Sequence, residues 1–333
     1  MSKQSRRKRK ALQKRKPPHR PVKGPRSAVP SAQTLLRVMQ LNFQTREALA
    51  KTAANLQPAL WKRDRGNVER IENARCIEEV LDLVPTATGL AEHAWLKRMR
   101  DFGPGATTVI AERLKNLPSP PYPKDRTVIE EKYIEALRWC EDTGIEALLE
   151  CWDYFDDYGR SLSCVVLGLL QAQHAADRIW AFYQKVKNNR HENLFVGALW
   201  GLIDLQDKRA AEALLELLTA GRDFYELFGF LSRAGDRRAV LPLLLLSVGA
   251  EEAIREEAMW ALTSIAHRIG RTAFLEELEN ASLPESQAGK AREAIADRIY
   301  SYSADEAEEY FALFYERDGL NIPNLLYQQG TLH

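Results

Sequence analysis

Acidic side chains are missing from the first 26 residues, cysteine is scarce, and no apolar run of membrane length occurs in the 333 residues. Each absence narrows the field. Cys76, Cys140, Cys151 and Cys164 form no Cys-x-x-Cys pair and have no histidine at ligand spacing, which argues against a disulfide framework or a zinc site. They read as small buried hydrophobes in a reducing compartment. Without about 18 consecutive apolar residues there is no candidate spanning helix, and the basic N-terminus lacks the apolar core of a signal peptide. The expectation is a soluble protein of the cytoplasm, or of the nucleus in a eukaryotic host. His93, His174, His191 and His267 are scattered without ligand or nucleophile partners, so no catalytic, metal or cofactor residue is assigned and a non-enzymatic role is expected. Gly103-Pro104-Gly105 lacks the lysine of a phosphate loop and reads as a turn.

Charge is present but unevenly placed. Residues 1–26 carry 12 Lys and Arg, and the remaining residues hold 35 basic against 46 acidic side chains, a net charge of −11. Like charges interleaved with Pro17, Pro18, Pro21, Pro25 and Pro30 predict a disordered basic tail over residues 1–30. Within it Arg6, Arg7, Lys8, Arg9, Lys10, Lys14, Arg15 and Lys16 form a candidate nucleic-acid-binding segment. It would neutralise phosphates without reading sequence, and it also fits a nuclear-localisation pattern.

Beyond the tail the dominant pattern is repetition. Small residues recur in large apolar settings at Ala94-Trp95, Ala136-Leu137, Leu167-Gly168-Leu169, Trp200-Gly201-Leu202, Phe228-Gly229-Phe230 and Trp260-Ala261-Leu262, mostly about 30 residues apart. The clearest unit runs from Phe195 to Leu218, with Leu199, Leu202 and Ile203 on one helix face, a turn at Gln206-Asp207, then Ala213, Leu214, Leu217 and Leu218. Asp207-Lys208-Arg209-Ala210 returns as Asp236-Arg237-Arg238-Ala239. The aspartate is placed to cap a helix, and the arginine to tie neighbouring repeats. Thr127 with Glu130, Thr143 with Glu146 and Ser303 with Glu306 match capping boxes. The recurring glycines cost helix propensity, which points to close helix packing.

With these turns in view, the chain resembles the HEAT-like repeat family often named after phycobilisome lyases, over roughly Ala91 to Leu278. The resemblance implies scaffolding and protein or nucleic-acid binding more than catalysis. The expected fold is all-α: an α-solenoid of stacked helix-turn-helix repeats over residues 91–283, interrupted by a proline-rich link at 117–126. Helical caps are expected at 31–90 and at 284–333 with its tail. His174 stands near the turn-aspartate position of the third repeat, and Phe102-Gly103-Pro104-Gly105 replaces the turn in the first.

One further segment, Ile145 to Tyr158, predicts a single helix with Ile145, Leu148, Trp152 and Phe155 on one face and a candidate acidic binding stripe, Glu146, Glu150, Asp153 and Asp157, on another. The seven tryptophans invite comparison with HEAT-like DNA alkylation glycosylases, but core packing is the commoner role of such rings. The expected function is therefore a scaffold that grips a protein partner and uses its tail to reach nucleic acid or ribosomes. Two alternatives stand beside it: a HEAT-like lyase or nucleic-acid-modifying enzyme, and a solenoid inhibited by its own basic tail.

Overall fold

Sixteen α-helices and six short 3-10 helices make up the regular structure of the residues that the computed structural model describes, namely 58–59, 61–117, 126–222, 224, 226–249, 252–279 and 285–315. The basic tail, the first part of the expected N-terminal cap and the prolines at 118–125 lie outside them. Within the expected N-terminal cap, helix α1 covers 61–72 and α2 covers Ile77–Asp82. Helix pairs follow: α3 (Leu90–Phe102) with α4 (Thr107–Lys115), α5 (Arg126–Leu137) with α6 (Glu141–Cys151), and α7 (Asp157–Leu169) with α8 (Ala176–Val186). Next come α9 (Glu192–Asp204) with α10 (Arg209–Thr219), α11 (Leu227–Ala234) with α12 (Val240–Gly249), and α13 (Glu252–Ile269) with α14 (Arg271–Glu279). The last two, α15 (Glu285–Ile299) and α16 (Ala304–Tyr315), fall where the C-terminal cap is expected.

Helix α10 shows why these segments are helical. Its alanines, leucines and glutamates are strong helix formers, and their spacing buries Ala210, Ala213, Leu214, Leu217 and Leu218 while Glu212 and Glu216 face outward. Gly221, at φ 65°, then ends the helix: the Arg222 amide donates to the Leu217 carbonyl at 3.0 Å.

First helices pack on first helices in chain order: α3 on α5, α5 on α7, α7 on α9, α9 on α11 and α11 on α13, with α13 against α15 and α16. The α7–α9 junction is the tightest place. A methyl group on Gly168 would lie 2.8 Å from Gly201 Cα, and one on Gly201 would strike the Cys164 carbonyl. One on Gly197 would strike Ser161. The glycines are therefore there to let backbones approach, as their propensity cost predicts.

The turns correct the expected register. Gln171 and Gln206, at φ 55° and 54°, end α7 and α9 with the same pair of backbone bonds. Ala172 N–H donates to the Leu167 carbonyl at 3.0 Å, and Asp207 N–H to the Leu202 carbonyl at 2.9 Å. Counted from there, Ala172 occupies the place of Asp207, and His174 that of Arg209. Gly168 precedes its turn glutamine by three residues and Gly201 by five, so the small residue has no fixed register. Contact between the first helices of neighbouring pairs places it, rather than distance along the chain.

Two other local expectations fail for identifiable reasons. The helix expected from Ile145 to Tyr158 ends at Cys151, passes through a 3-10 turn at Trp152–Tyr154, and reaches extended backbone at Phe155. Asp156 then caps a new helix, its carboxylate accepting from Gly159 N–H at 2.8 Å. Helix α6 already starts at Glu141, so Thr143 is inside it and donates to the Cys140 carbonyl at 2.7 Å instead of capping with Glu146. Thr127 lies within the first turn of α5, and its side chain is outside those described. Ser303 and Glu306 do form the reciprocal box, at 2.7 and 3.1 Å.

Candidate binding surfaces

The four carboxylates of the expected acidic stripe are divided between two helices and a turn. Glu146 and Glu150 are exposed on α6, Asp153 is exposed in the 3-10 turn, and Asp157 opens α7. Lys115 of α4 reaches Glu150 at 2.5 Å, and Asp157 receives Arg160 at 2.9 Å and Lys185 at 2.7 Å. Partial burial pushes the Asp157 carboxyl up, but these two cations outweigh it and hold it below the usual carboxylate range. Two of the four are thus paired with neighbouring cations.

The Lys115 pair belongs to a series of ion pairs joining helix pairs along the chain. Arg113 reaches Asp82 at 2.7 Å, Arg209 reaches Asp177 at 2.7 Å, and Lys187 reaches Glu216 at 3.0 Å. Arg237 reaches Glu277 at 2.5 Å, and Arg271 reaches Asp297 at 2.6 Å. The turn motif does both of its expected jobs. Asp207 accepts the Arg209 amide at 2.9 Å and also holds its guanidinium, which drives the Asp207 carboxyl down. Asp236 caps the Arg238 amide in the same way, at 2.9 Å.

Aromatic side chains are spent on packing too. Buried Trp95 donates to the Val80 carbonyl at 2.8 Å. Trp152 meets Phe182 edge-on with ring centres 6.0 Å apart, Trp200 meets Phe230 at 5.2 Å, and Trp260 stacks on Tyr310 at 5.4 Å. Trp139 differs: it is half-buried in the turn before α6, with the Arg138 guanidinium 4.4 Å and that of Arg100 4.9 Å from its ring. Cys140, Cys151 and Cys164 are buried, as their composition suggests, while Cys76 is exposed. Burial pushes all three buried thiols up, Cys151 to about 11, so they are poor nucleophiles.

A cleft of about 1070 Å³ opens along the turns of the α9–α10, α11–α12 and α13–α14 pairs beside α16. On its walls the Ser232 and Ser264 hydroxyls bond at 2.9 Å, Arg268 donates to the Ser232 and Gly235 carbonyls, and Arg233 holds buried Asp204 at 2.8 Å. Burial pushes His93 down elsewhere in the chain, between α3 residues Glu92 and Ala94. Neither Trp152 nor Trp200 lines the cleft. Pairs such as Arg233 with Asp204, and the bond from Gln171 Nε2 to the Asp204 carbonyl at 3.0 Å, had no sequence signal, because the partners lie 29 and 33 residues apart on different elements and match no local motif. Among the described residues no group of three or more His, Cys, Asp or Glu is arranged to hold a metal ion, and no helix is long and apolar enough to cross a membrane. Comparison with protein families, with curated proteins and with solved structures finds no match in any of the three.

Proposed function

We propose that the chain is a non-enzymatic α-solenoid scaffold: its repeats grip a protein partner, and its basic N-terminal segment ties the complex to nucleic acid or to ribosomes. The observation that carries this reading is how the reactive and aromatic side chains are used. Aspartates, arginines and tryptophans join one helix pair to the next, which is the economy of a repeat scaffold, where each unit contacts mainly its neighbours. Function then falls to surfaces and to charge. Residues 1–138 hold 29 basic against 14 acidic side chains, and residues 139–333 hold 18 against 32. The first part suits phosphates and the second a partner with a basic surface.

The test compares single-stranded RNA binding by the full chain with binding by a full-chain variant in which Arg6, Arg7, Lys8, Arg9, Lys10, Lys14, Arg15 and Lys16 are all changed to Gln. At about 0.7 counterions released per phosphate contact, the slope of log affinity against log salt should flatten by up to about 6. Equal affinity and equal slopes would remove the tether from this reading.

A further inference from the structure

Helix α12 (Val240–Gly249) is leucine-rich on every side, and a helix apolar all round is ordinarily covered all round. Half of it is. Val240 and Leu243 are fully buried, and the helix packs on α13 and α14. Its other side is open: Leu245 and Val248 are 69% and 70% exposed, and with half-buried Leu241 they fall at i, i+4 and i+7 on one stripe. No charged residue interrupts the helix.

We propose that this stripe is the docking site of the chain's own residues 319–333, which lie outside the described structure. That stretch contains no Lys, Arg, Asp or Glu, and presents Leu320, Ile322, Leu325, Leu326 and Tyr327 within eight residues. Its starting point is close enough. Helix α16 ends at Tyr315 and packs on α11 and α13, and α13 packs on α12. Two such steps are about 20 Å, since packed helices lie 8–10 Å apart. Ten extended residues span about 33 Å, so Leu325 and Leu326 reach the far side of α12.

Competing occupants fit less well. Two highly exposed apolar side chains on a ten-residue helix fall far short of the roughly 800 Å² per partner that a stable pair of proteins buries, which disfavours a second copy. A tethered segment needs no such area, because its effective concentration is in the millimolar range.

Hydrogen exchange on the full chain tests the proposal in both directions. In a Leu325→Asp/Leu326→Asp variant, amides of residues 241–249 should exchange at least tenfold faster than in the parent chain, with those of α7 and α9 unchanged. In a Leu245→Asp variant, whose substitution is at an exposed position, residues 319–333 should lose protection while far-UV circular dichroism stays the same. If neither variant changes exchange at the other site, the docking is wrong. If protection of 241–249 instead rises with protein concentration, the stripe belongs to a second copy and the proposal is equally overturned.

Discussion

The junction of α7 with α9 and the outer stripe of α12 are opposites. At the first, backbones approach until Gly168 and Gly201 have no room for a methyl group; at the second, Leu245 and Val248 stand in the open. Both segments are small-to-medium apolar helices by composition. The difference lies in what faces them: the backbone of another helix at the first, and none of the described residues over Leu245 and Val248 at the second.

The most damaging way to break that contrast is to widen the junction. Gly201→Val would drive its side chain into the Cys164 carbonyl, which belongs to a helix backbone and cannot rotate away. Equilibrium denaturation should show a loss of about 3 kcal/mol, the upper end of overpacking costs. Gly168→Ala should lose about 2 kcal/mol, since its obstacle is the Gly201 backbone and alanine recovers about 1 kcal/mol in helix propensity. A stabilised Gly168→Ala chain would mean that the two helices can separate freely.

Much of this was readable in advance, and the exceptions share a cause. The turn aspartates, the Ser303–Glu306 box and the two C-terminal helices follow from local chemistry, in which a few adjacent residues satisfy one another. The division of Ile145 to Tyr158 did not, although Asp156 three residues before Gly159 is a cap signal in plain view. The helical spacing of Ile145, Leu148, Trp152 and Phe155 continued across the break, because both α6 and the following turn bury those residues. Periodicity reports burial, and burial persisted while the helix stopped. The ion pairs of Glu150 and Asp157 were hidden for the related reason that their partners, Lys115 and Lys185, come from other helices.

A second comparison sharpens the role of the turn. The α7–α8 and α9–α10 turns share a backbone, with Ala175 N–H on the Ala172 carbonyl at 2.9 Å and Ala210 N–H on the Asp207 carbonyl at 3.0 Å, yet only the later one has the aspartate and arginine. The fold therefore does not require that pair; the pair adds stability to it. Asp207→Ala should cost about 1–2 kcal/mol, the range for losing a capping side chain, and Ala172→Asp should gain less, because His174 stands where Arg209 would answer it. The same pair predicts a pH dependence. Arg209 holds the folded-state Asp207 carboxyl below its unfolded value, so its contribution is complete above about pH 4 and is lost as the pH falls through the lowered folded value. Thermal unfolding between pH 5 and 2, run on Asp207→Asn beside the parent chain, should give curves that converge at the acid end. Parallel curves would detach the pair from stability.

The smallest effect distinguishes strain from packing. Gly103, which opens the 3-10 turn before α4, and Glu141, the first residue of α6, share φ 52° and ψ −137°, a region that side chains avoid. Gly103 takes it freely, whereas Glu141 has a Cβ to accommodate, and it is exposed, so little packing is lost by removing its side chain. Glu141→Gly should therefore stabilise the chain by about 1 kcal/mol, relief of strain being partly offset by the entropy glycine adds to the unfolded state. The converse change, Gly103→Ala, has room for its methyl group, the nearest atom being the Trp139 carbonyl at 3.8 Å, so strain alone is tested. It should cost about the same amount. Mirror-image changes in the two unfolding midpoints would show that these first two turns are one conformation set by the pairs they join. A destabilised Glu141→Gly chain would mean that the glutamate side chain contributes more than its strained backbone costs.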